Sequence, residues 1–94
     1  MSSATPELVE LSSAERESIE RSAITIVENI PRDQRGKILD AMERTYLKLA
    51  RKYGKADGKG RPWGVAMART LRTLVAEIEH RQFVQKTARG IAGQ

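Results

Sequence analysis

The chain has 94 residues, enough for one small domain and too few for two, because a single hydrophobic core serves on the order of 100 to 200 residues. Its hydrophobic fraction of 39% suits a folded protein, but aromatics make up only 4%, so aliphatic side chains must build nearly all of the core. Cysteine is absent and the net charge is +5, which excludes disulfides, thiolate metal sites, iron–sulfur clusters and cysteine nucleophiles, and leaves a basic chain. No apolar run approaches the roughly 18 residues of a membrane span, and the segment from Met1 to Leu11 has neither a basic start nor an apolar stretch of signal-peptide type. These features predict a protein with no membrane partner and no secretion signal, placed in a reducing cytoplasm.

The charge is unevenly spread. Residues 1–30 hold two basic and six acidic side chains, a net −4, whereas residues 31–72 hold twelve basic and four acidic ones, a net +8. Such asymmetry attracts a polyanion or an acidic partner, or lets an acidic first helix lie against basic neighbours within the fold.

In chain order, residues 1–11 read as a tail, in which Thr5-Pro6-Glu7 starts at most one short helical turn over Pro6 to Leu11. Ser12-Ser13-Ala14-Glu15 has the spacing of a capping box and predicts a first helix starting at Ser12 or Ser13. Ile19, Ala23, Ile26, Val27 and Ile30 make its apolar stripe, and Pro31 stops it. The β-branched run Ile24-Thr25-Ile26-Val27 could pass for a strand, but no second strand exists to pair with it.

A second helix begins at Asp33 or at the Pro31-Arg32 step. Its apolar residues Ile38, Leu39, Met42, Tyr46, Leu49, Ala50 and Tyr53 fall within about 140° of arc. Gly54, after Arg51 and Lys52, stands where a left-handed C-terminal cap is expected. Residues 54–62, with three glycines and a proline, read as a loop. A third helix starts near Pro62 or Trp63 and carries the stripe Val65, Ala68, Leu71, Leu74, Val75 and Ile78, with Met67 at its margin. Phe83 and Val84 sit off that stripe, which implies a bend near residue 80 or a second buried face. A tail over 89–94 follows. The fold class is therefore all-α: a small three-helix bundle, or a helical hairpin with an additional N-terminal helix, forming one domain over 12–88 and dimeric because its apolar surface exceeds one small core.

Catalytic chemistry has little to work with. Ser and Thr occur without a plausible base, and His80 is the single histidine. Glu77 and His80 have the spacing of di-metal ligands in helix bundles, but such a site needs two copies and further glutamates. A dimer could supply the second copy, but the pair does not lie on the apolar stripe. The glycine-rich loop is one residue short of a P-loop, one too long for a dinucleotide fingerprint, and preceded by a helix rather than a strand. We therefore expect no catalytic residue, no cofactor and no metal site.

The informative surface is basic. Lys37, Arg44, Lys48, Arg51 and Lys55 recur at seven-, four-, three- and four-residue steps. This sets them within about 60° of one another beside the apolar stripe, as a ribbon about 27 Å long. Lys59 and Arg61 extend it. This ribbon reads as a phosphate-tracking surface, as a solvated face, or as a face paired with Glu15, Glu17, Glu20 and Glu28 of the first helix. Trp63, beside Arg61, reads as a ring closing one end of the helix packing, or as a partner anchor or base-stacking platform. Tyr46, Tyr53, Phe83 and Val84 are assigned to core or oligomer contacts. The expected function is a non-enzymatic adaptor, anti-activator or co-regulator that binds a protein partner as a homodimer. The alternative is nucleic-acid binding through the ribbon and the 54–62 loop.

Overall fold

The computed structural model describes the backbone of residues 10–57 and 60–92, with the side chains of 10–52 and 60–87. Among these residues the chain is all-helical and has no strand: α1 spans Ser13–Asn29, α2 Arg32–Asp57 and α3 Gly60–Ala92. The turn anticipated over Pro6 to Leu11 falls almost wholly outside the described residues, and Glu10 and Leu11 are not helical. No helix among the described residues is long and apolar enough to cross a membrane.

Local chemistry sets both ends of α1. The Ser12 hydroxyl accepts from the Glu15 backbone N–H at 3.1 Å, while the Ser12 N–H donates back to the Glu15 carboxylate at 2.8 Å. At the other end Ile30 is extended, with φ −108° and ψ 126°, the conformation that a following proline imposes. The β-branched segment 24–27 is helical, and Ile26 and Val27 enter the core.

The loop expected over 54–62 is largely absent. Helix α2 runs through Gly54 to Asp57 and α3 starts at Gly60, so Gly54 is a helical residue and not a cap. A glycine costs a helix about 1 kcal/mol relative to alanine, too little to stop propagation when the next residues gain a backbone hydrogen bond each. Among the described residues the positive-φ glycine is Gly60, whose φ of 56° lies in the left-handed region that side chains avoid. Nor does α3 divide near residue 80: it is one helix of 33 residues, roughly 50 Å long, continuing to Ala92.

Helix α3 is the common partner. It packs along both α1 and α2, whereas α1 and α2 scarcely touch each other. The core joins Ile19, Ala23, Ile26 and Val27 of α1 to Tyr46 of α2 and to Met67, Ala68, Leu71 and Val75 of α3. Leu49, placed on the apolar stripe of α2 by its spacing, sits at the exposed margin instead. Close approach of α2 and α3 depends on Gly64, where a Cβ would stand 3.0 Å from the Tyr46 carbonyl oxygen and 3.2 Å from both Ala50 Cβ and Leu47 Cδ2.

Candidate functional site

Three polar ties hold the helices in register and thereby position their outer faces. The most consequential is Arg35, which lies in the middle of the apolar stripe of α2. Its Nε donates to the Ile30 carbonyl and its Nη2 to the Val27 carbonyl, both at 2.9 Å, and its Nη1 meets Glu79 Oε2 of α3 at 2.7 Å. One guanidinium thus caps α1, which has no basic residue in its own last turn, and joins it to α2 and α3. A charged residue amid apolar positions was the available sequence signal for this role.

Further along the α2–α3 contact, Arg72 pairs with Asp40 at 2.7 Å and Glu43 at 2.8 Å. The hydrogen bonds that Arg72 donates to these two carboxylates raise the guanidinium pKa further, so Arg72 stays charged. At the other end of the packing, Trp63 Nε1 donates to Glu15 Oε2 at 2.7 Å. Glu15 therefore serves both the α1 cap and the indole. The Trp63 ring meets Tyr46 edge-on, with centroids 6.4 Å apart and planes at 85°. Tyr46 lies in the chain's own core, and burial pushes its phenol pKa up, favouring the neutral form.

The basic ribbon is a free surface. Lys37, Arg44, Lys48 and Arg51 are all exposed, and none makes an ion pair among the described residues. They occupy the side of α2 turned away from the core, not a side flanking the apolar stripe, since the buried positions of that helix include Tyr46 and Ala50. The acidic first helix does not neutralise them: Glu17, Glu20 and Glu28 are exposed and without an ion pair among the described residues. Arg61 is exposed at the start of α3, close in sequence to the half-buried Trp63. Lys59 and the side chains of Tyr53 and Lys55 lie outside the described residues.

The second surface is the far part of α3. Residues 80–87 are exposed, with Phe83 at 66% and Val84 at 48%, because α3 outruns the helices it packs against. Between these turns and the start of α2 lies an open groove of about 590 Å³, walled by Arg32, Arg35, Glu79, Phe83 and Lys86. A smaller cleft of about 340 Å³ separates α1 from α2 over Ile26, Ile38 and Met42. Among the described residues no group of three or more His, Cys, Asp or Glu side chains converges to hold a metal ion. His80 lines the Phe83 groove, and Glu77 stands 3.8 Å from Arg81. No family model, no curated protein and no solved structure matches this chain.

Proposed function

We propose that the chain is a small non-enzymatic regulatory or adaptor protein of the cytoplasm that acts by protein–protein binding and works as a homodimer. The observation that carries this reading is the projecting part of α3, where Phe83 and Val84 stand 66% and 48% exposed beyond the shared core. Burying a side chain of that size contributes about 1.5–3 kcal/mol, so an apolar pair repeated in two subunits is a substantial driving force for association. The chain should sediment as a dimer at tens of micromolar, and Phe83→Ser should shift it to the 10.5 kDa monomer with little loss of fold stability. A wild-type monomer under those conditions would refute the homodimer. A protein partner captured from native lysate should survive nuclease treatment and be lost on Arg61→Ala.

A second reading is favoured by a separate observation, the outward ribbon of Lys37, Arg44, Lys48 and Arg51 with no carboxylate committed to it. A phosphate-tracking face displaces condensed counterions, so affinity for duplex DNA falls with salt by about 0.9 log units per log unit for each contact. If the ribbon has this role, replacing Arg44, Lys48 and Arg51 by glutamine flattens the slope by about 3, and the helix stays folded because all three point away from the core. Tight DNA binding at about 150 mM salt, abolished by the triple substitution, would make this the primary function; weak binding that vanishes near that salt would leave the protein-binding reading in place.

A further inference from the structure

We propose that two copies of this chain associate by seating the acidic outer face of α1, centred on Ile24, in the basic Phe83 groove of the other copy. The inference rests on the homodimer reading and names its two surfaces.

The groove defines the chemistry of its occupant. Its large apolar element is Phe83, with Ala76 beside it. Of the charges around it, Arg35 and Glu79 are bonded to each other at 2.7 Å, which leaves Arg32 and Lys86, both exposed and without an ion pair among the described residues. The uncommitted charge at the rim is therefore positive. The fitting occupant is a helical face with an apolar side chain flanked by carboxylates.

The chain itself presents such a face. Ile24 is 46% exposed on α1. Glu17, Glu20 and Glu28 stand seven and four residues before it and four after it, so all four side chains fall within about 80° of arc at 100° per residue. Arg21 and Glu20, both exposed, border the clefts that flank this face on the α2 and α3 sides. None of the three glutamates has an ion pair among the described residues.

Charge also excludes the simpler arrangement. A chain of net charge +5 repels its own copies, and stacking Phe83 on Phe83 would set Arg32 and Lys86 of both copies against each other. α1 itself carries four acidic and two basic side chains, a net −2 against the +5 of the whole chain, so contact through it brings opposite signs together. The two patches differ, so a closed pair makes the contact twice, each copy giving its α1 face and receiving its partner's.

The test is a charge swap read by sedimentation of the full chain. Glu17→Lys with Glu28→Lys makes one variant, and Arg32→Glu with Lys86→Glu makes the other. All four positions are exposed, and an acid at residue 32 suits the N-terminus of α2. Each variant alone faces like charge at both contacts, and its self-association should weaken about tenfold or more. An equimolar mixture restores opposite charges at both contacts and should recover the dimer, which should also loosen with added salt. A wild-type monomer would overturn the homodimer reading and this inference together. A wild-type dimer that neither variant weakens would overturn the surface assignment alone, as would a mixture that stays monomeric while each variant remains helical.

Discussion

Arg35→Ala is expected to destabilise the fold by about 3 kcal/mol, since breaking a buried, hydrogen-bonded charge pair costs about 3–5 kcal/mol and this one is not fully enclosed. The Arg35 side chain is 15% exposed and that of Glu79 30%, so solvent screens part of the interaction. Truncation removes three contacts at once. The carbonyls of Val27 and Ile30 lose their donor at the end of α1, where the last turn has no intrahelical partners for its carbonyls, and Glu79 loses its cation. Each kcal/mol shifts Tm by about 4–8 °C in a domain of this size, so the midpoint should fall by about 12–24 °C, readable by circular dichroism. Arg35→Lys should recover only part of the loss. It keeps the charge but lacks the planar fork that reaches three acceptors. A double-mutant cycle with Glu79→Gln should show a coupling above about 0.5 kcal/mol, and additivity would separate the two residues energetically.

Two glycines inside helices should respond to alanine with opposite signs. Gly36 in α2 has nothing within 4 Å of where a Cβ would stand, so Gly36→Ala should gain up to about 1 kcal/mol from helix propensity and reduced unfolded-state entropy. Gly64 in α3 offers the same propensity gain, but its Cβ would lie 3.0 Å from the Tyr46 carbonyl oxygen. That atom belongs to the backbone of a packed helix and yields only if α2 and α3 move apart. Overpacking costs about 1–3 kcal/mol, so Gly64→Ala should be a net loss of about 1 kcal/mol, and Gly64→Leu a larger one of about 3 kcal/mol or more. Urea midpoints of the three variants check this; a gain at both positions on alanine substitution would show that α2 and α3 are not in close contact at residue 64.

The two surfaces on which function is proposed were legible to different degrees. The ribbon of Lys37, Arg44, Lys48 and Arg51 follows from spacing alone, because the helical repeat gathers residues three, four and seven apart on one side. Its freedom from ion pairs was not legible. That depended on whether the acidic α1 lies against α2, and α1 packs instead on α3. Phe83 and Val84 were visible as departures from the α3 stripe, yet the groove beside them needs Arg32, some fifty residues earlier.

What the sequence by itself determined is local: the Ser12–Glu15 box that starts α1, the proline that ends it, and the apolar stripes of all three helices. Each rests on interactions spanning four residues or fewer, whose geometry the helix itself supplies. What only the tertiary structure decided is which faces meet: Trp63 donating to Glu15 across 48 residues, Arg35 reaching Glu79 across 44, and Gly64 admitting the backbone of α2. A stripe states that a face is buried but not against what. Ties that span 44 and 48 residues form only when the three helices have come together, so no local signal could place them.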